Sequence, residues 1–198
     1  MSELPEWMYP PRAEGWFAED LDHLPQAPPR TELRHGSLVF FLRPRSAWHS
    51  RVTAALATAI DRTAPAGWTV DYGTAVILDR WNRTRPDIVV GITGHDPGRI
   101  RFTADEVVLV VEVVSPDAAH ADRVVKPEKY AEAGIPHYWV IEEEDGLPVV
   151  HVYELDTNVG AYAPGGIFRG RLQRSVPFPV DIDLDALVPA PKGKKRAD

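Results

Sequence analysis

The chain has 198 residues, 44% of them hydrophobic and 26% charged, with a formal net charge of −7. That suits one globular domain with a sizeable core and argues against a general, high-affinity binder of nucleic-acid backbone, although a single local basic groove would escape that argument. There is no cysteine, which excludes thiol catalysis, disulfides and thiolate zinc sites and suits a reducing cytoplasm.

The N-terminal stretch "MSELPEWMYPPRAEGW" lacks a basic-then-apolar leader pattern, and no apolar run is long enough to span a bilayer, so no membrane partner is expected. Residues 1–30 are proline-rich ("YPPR", "APPR") and read as an extended arm rather than a packed element. "GSLVFFLRP" reads as a strand. "SAWHSRVTAALATAIDRTA" reads as a helix capped by Ser46, with Val52, Leu56, Ala59 and Ile60 able to share a face. "GWTVDYGTAVILD" is a strand or a bent pair of strands. "RPDIVVGI" and "EVVLVVEVV" are short, continuous apolar runs, as in central strands covered on both faces.

"DRVVKPEKYAEAGI" follows as a helix ended by Gly134, with Pro127 either opening or kinking it. "HYWVIEE" and "LPVVHVYEL" are strands joined at "EDGLP", a hairpin signal. Short strands and a last short helix complete a domain over 31–190, and "PKGKKRAD" supplies a basic, disordered tail at 191–198. There is no internal repeat. The order is α/β: a mixed sheet with one helix before and one after its central strands.

Three charged positions stand out against this background. Asp87 follows Pro86 at the head of one apolar strand, Glu112 lies inside the next, and Lys126 opens the helix that leaves it. A carboxylate among valines must be paired, metal-bound or protonated. Carboxylates are the hard ligands Mg²⁺ prefers, and a lysine can orient or deprotonate a water or stabilise charge on a phosphate. These are the parts of a metal-dependent phosphodiester hydrolase. Plainer readings stand beside that one. Glu112 could pair with an arginine such as Arg85 or Arg101, Asp87 could serve a turn, and Lys126 could be a solvated helix-end charge. Alternation puts Val108, Val110, Glu112 and Val114 on one face and Val107, Leu109, Val111 and Val113 on the other. Asp122 reads either as a helix cap or as an outer member of the site, and Tyr130, Tyr138 and Trp139 read as core. Ser115 lacks a glycine-flanked elbow and a His/Asp partnership, and so is not a nucleophile.

"RPDIVV", "VVLVVEVVSPD" and "DRVVKPEKYAEAGIPHYWVIE", in that order, resemble the Uma-type family of "putative restriction endonucleases" in the PD-(D/E)XK nuclease superfamily. The resemblance runs from about Glu32 to about Leu155, and Asp122, Lys126, Tyr130, Gly134, Pro136, Tyr138 and Trp139 are its most distinctive part. It implies a restriction-endonuclease-like mixed central β-sheet flanked by helices. It implies a bacterial Mg²⁺-dependent endonuclease, with Mn²⁺ as a substitute, acting on DNA and working as a homodimer. It assigns Asp87, Glu112 and the Val113 carbonyl as metal ligands. Lys126 stands in for a lysine that is Val114 at its usual place, Glu32 points into the site, and His49 matches a histidine on the first helix. The rival expectation is a nuclease-like fold that has lost its chemistry and serves as a binding or assembly module.

Overall fold

The computed structural model describes residues 4–115 and 119–189; the basic tail at 191–198 lies outside them. A six-stranded mixed sheet, in the order β11-β10-β9-β8-β6-β3, forms the middle of the fold. Its central members are β6 (Ile88–Gly91), β8 (Val107–Val113) and β9 (His137–Glu144). β6 runs antiparallel to β8, with Ile88 opposite Val111, and β8 runs parallel to β9, with Glu112 opposite Val140. β3 (Thr69–Tyr72), β10 (Leu147–Asp156) and β11 (Ala161–Phe168) extend the two sides. The β9–β10 connection is Asp145-Gly146, both at positive φ (52° and 83°). That is the mirror-image turn whose twist suits a two-residue hairpin.

Both faces of this sheet are covered, which is why its central strands read as unbroken apolar runs. Helix α1 (Ala47–Asp61) lies on one face; Ser46 caps it, accepting from the His49 N–H at 3.1 Å. Val52, Leu56 and Ile60 are fully buried against Leu109, Val111 and Val113. Burial of side chains this size stabilises by about 1.5–3 kcal/mol each. The hairpin β12 (Arg171–Arg174) and β13 (Val180–Asp183) adds to the same layer through Leu172 and Ile182. On the opposite face Val89, Val110 and Val140 meet Tyr130 of helix α2 (Lys126–Glu132) and Val76. No helix among the described residues is long and apolar enough to cross a membrane.

Val76 belongs to a second, five-stranded sheet, in the order β2-β1-β5-β4-β7. Its strands are β1 (Thr31–Arg34), β2 (Ser37–Phe40), β4 (Ala75–Asp79), β5 (Asn82–Thr84) and β7 (Arg101–Thr103). The stretch expected as a strand or bent pair is two strands, β3 and β4, lying in different sheets.

Two expectations need correction. Alternation along β8 holds from Leu109 to Val113 but not at its start: Val107 packs with Val110, whereas Val108 packs on the α1 side. The cause is a register shift between Val90 and Gly91, which sets Gly91 opposite Val107. A β-bulge of this kind slips the side-chain pattern by one position. Gly91 is required there, because a Cβ would meet the Phe102 ring at 2.5 Å. The N-terminal arm, in turn, is packed from Trp16 onward. Trp16 and Ala18 are buried against Leu33, and their N–H groups donate to the Gly36 and Arg80 carbonyls at 2.9 Å each.

Candidate active site

Lys126 is the centre of a buried ionic cluster. The helix carrying it begins irregularly: a π-turn over Ala121–Val125 leads into α2, and the Lys126 N–H donates to the Ala121 carbonyl, five residues back. Pro127 accounts for the irregularity. It has no N–H, and in a regular helix its ring would collide with the Arg123 carbonyl; the wider turn relieves both problems. Pro127 therefore follows a distorted first turn, where the sequence allowed either an opening or a kink.

The turn delivers the Lys126 ammonium to three carboxylates. Its Nζ lies 2.8 Å from Glu112 Oε1, 3.0 Å from Asp122 Oδ1 and 3.7 Å from Glu32 Oε1. Glu112 is completely buried and Lys126 is 5% exposed, so these are interior charges rather than surface pairs. One turn further along α2, the Tyr130 hydroxyl donates to Glu112 Oε1 at 2.7 Å and lies 3.1 Å from the Thr84 hydroxyl. Glu32 reaches the cluster from β1, where Arg34 donates to its Oε2 at 2.8 Å. Asp122 makes no capping hydrogen bond among the described residues, and its Oδ2 and Glu112 Oε2 are buried without a hydrogen-bond partner there.

Asp87 forms a second, adjoining centre at the head of β6. Its Oδ1 accepts from Arg45 at 2.8 Å, and its Oδ2 accepts from the Val113 N–H at 2.8 Å and lies 3.1 Å from His49 Nε2. The Val113 bond ties Asp87 to the residue next to Glu112. Arg45 also donates to the Ser115 hydroxyl at 3.4 Å.

The protonation balance follows from burial and sign. Burial pushes the Glu112 carboxyl up to about 8; Lys126 opposes that, while Asp122 and Asp87 add to it. Asp122 is also raised, chiefly by burial against the opposing pull of Lys126. Burial works against ionised Asp87 as well, but the His49 bond and charge, with Arg45 and Lys126, outweigh it and hold the carboxyl below its usual range. Glu32 is held low by Lys126 and Arg34 despite its burial. Lys126 itself is raised, because Glu112, Glu32 and Asp122 more than offset its desolvation. In the metal-free protein, then, the lysine keeps its charge while Glu112 tends to hold a proton.

Does this set of donors suit a divalent metal? Among the described residues no three His, Asp or Glu side chains form a ready cage. Mg²⁺ does not require one: it commonly keeps several waters and binds through one or two carboxylates and substrate phosphate. Glu112 offers a buried oxygen without a hydrogen-bond partner, and every donor is hard oxygen. A dication would ionise Glu112 against the burial that now protonates it. The residues fit such an ion.

A sequence profile of the Uma2 family, described as "putative restriction endonuclease", matches residues 18–186. The chain belongs to the Uma2 family. Its fold is similar to the crystal structure of a "putative nuclease belonging to DUF820" from Anabaena variabilis. The two are 18% identical, with a TM-score of 0.61 over 80% of this chain and 88% of that one. No curated protein matches. The mixed sheet with its flanking helices is thus a restriction-endonuclease-like nuclease fold.

Of the residues singled out from the Uma2 resemblance, Glu112, Lys126 and Glu32 meet in one cluster, and Asp87 stands beside them with His49 and Val113. The arginine partners considered for Glu112 lie elsewhere: Arg101 pairs with Asp22, and Arg85 approaches Glu32 through its backbone N–H. Sequence reasoning missed Arg45 and Thr84, and treated Tyr130 as core. Tyr130 is core, yet its hydroxyl ends on Glu112. The one available signal was its place four residues after Lys126, on the same helix face.

Proposed function

We propose that the protein is a divalent-metal-dependent endonuclease hydrolysing DNA phosphodiester bonds. The observation that carries this reading is the buried Lys126–Glu112 contact, with Glu112 Oε2 left unpartnered beside the Asp87 centre. Asp87, Glu112 and the Val113 carbonyl would hold Mg²⁺ or Mn²⁺. When bound, such an ion supplies a more acidic water and neutralises charge on the non-bridging phosphate oxygens. Arg45 and His49 fix the orientation of Asp87; Tyr130 fixes that of Glu112. Lys126, firmly protonated, orients the attacking water and stabilises negative charge on the non-bridging phosphate oxygens, a donor role rather than that of a base. A second copy of the chain would serve the second strand of a duplex, and the absence of cysteine suits a bacterial cytoplasm.

That no ready-made metal group lies among the described residues favours a second reading, a nuclease-like module without chemistry. Mn²⁺ titration followed by electron paramagnetic resonance separates the two. The nuclease reading expects one saturable site that is lost in Asp87→Ala and in Glu112→Ala. Identical weak binding by all three proteins would sink it and favour the module.

A further inference from the structure

An arginine-lined cavity opens beside Asp87, on the α1 side of the site. It has a volume of ≈330 Å³ and is bounded by Arg30, Arg45 and Arg85, the first two turns of α1 at Ser50 and Thr53, and Asp87. In a chain of net charge −7, three arginines lining one cavity depart from the general surface. They are not equivalent. Arg45 is committed to Asp87 at 2.8 Å, and Arg30 donates to the Arg43 carbonyl at 3.0 Å. The Arg85 guanidinium makes no hydrogen bond or ion pair with the described residues, although Arg85 is only partly exposed. A half-buried cation without a partner is costly for folding alone.

Chain geometry holds it in place. Arg85 is two residues before Asp87, with Pro86 between them, so its backbone is restrained relative to that carboxylate, which also lines the cavity. Asp87 would repel an anion, but Arg45 already pairs with its charge and His49 Nε2 lies 3.1 Å from it. What remains to attract a ligand is positive and forked, the shape that takes two oxygens of a phosphate.

We propose that this cavity is a phosphate subsite, in which Arg85 holds a backbone phosphodiester of the DNA strand next to the one being cut. The inference rests on the nuclease reading for the nature of its ligand. It assigns to Arg85 strand positioning, separate from the chemistry at Glu112 and Lys126.

The test is anisotropy of a fluorescein-labelled duplex of randomised sequence, titrated with full-length protein across salt concentrations in Ca²⁺. Arg85→Ala should bind about tenfold more weakly, and its log–log salt slope should be shallower by about one. Arg85→Lys should keep the slope, and Arg171→Ala, a remote exposed site with the same charge change, should match the wild type. Thermal melting should show Arg85→Ala close to wild type in stability, since the half-buried guanidinium makes no hydrogen bond or ion pair with the described residues that the change would remove. Equal affinities and slopes for wild type and Arg85→Ala would overturn the inference, as would an equal loss in Arg171→Ala. Cleavage of DNA without any Arg85 effect rejects the subsite and leaves the nuclease reading standing. Arg85-dependent binding without cleavage does the reverse.

Discussion

Replacing Glu112 with Gln should stabilise the metal-free protein while abolishing the metal-dependent cleavage proposed for it. Burial pushes this carboxyl from its usual 4.5 to about 8. An acid whose folded value is raised holds its proton in the folded state where the unfolded chain has lost it. Stability therefore falls as pH rises between those two values, by about 1.4 kcal/mol per pH unit at most. From about pH 5 to about pH 7 the cost is on the order of 3 kcal/mol. Glutamine keeps the shape and the acceptor for Tyr130 and has no proton to lose. Lys126 stays compensated, because Asp122 remains 3.0 Å away. Asp87 and Glu32 do not confuse the comparison, since their held-down carboxyls are ionised in both states across this window. The assay is urea unfolding in EDTA at several pH values, followed by circular dichroism. The wild type should lose stability relative to Glu112→Gln as pH rises, with the gap growing by roughly 3 kcal/mol. Parallel pH profiles, or a variant less stable than wild type near pH 8, would refute the electrostatic account.

Lys126→Met leaves three buried carboxylates without their shared cation and should cost about 3–5 kcal/mol in chemical denaturation. Combining it with Glu112→Gln should recover a good part of that loss without restoring any nuclease activity. Gly91→Ala drives a Cβ to 2.5 Å from the Phe102 ring at the bulge, and should destabilise by about 1–3 kcal/mol as read by the shift in urea midpoint.

The parts of the molecule legible in the sequence are those where apolar pattern and burial agree. Ser46 and the spacing of Val52, Leu56 and Ile60 announce α1, and unbroken valines announce β6 and β8. Asp145-Gly146 announces its hairpin. In the second sheet β2 and β4 were legible, but β5 was opaque because it breaks that agreement. Asn82, Arg83 and Thr84 of β5 are all buried, yet none is apolar. Asn82 is satisfied by Asp79 and by the His35 N–H, Arg83 by Asp22, and Thr84 by Glu32 and Tyr130. Each partner is distant in sequence or unremarkable within it, so no local signal exists. The arm failed for a related reason: prolines describe its backbone but not the long-range bonds of Trp16 and Ala18. At the site, Glu112 betrayed itself as a charge in an apolar run. Arg45 did not, since an arginine before a helix cap is ordinary until the fold places it, and Asp122 showed only as a cap or an outer member of the site.

The central claim is that Glu112 and Lys126 serve one metal-dependent reaction on DNA. Its most direct test is conversion of supercoiled plasmid to nicked or linear form by wild type, Glu112→Ala and Lys126→Ala, with Mg²⁺ or Mn²⁺ and with EDTA. Metal-dependent conversion by the wild type alone is the expected result. Intact plasmid with every protein and metal, or undiminished cutting by Glu112→Ala, would contradict the account.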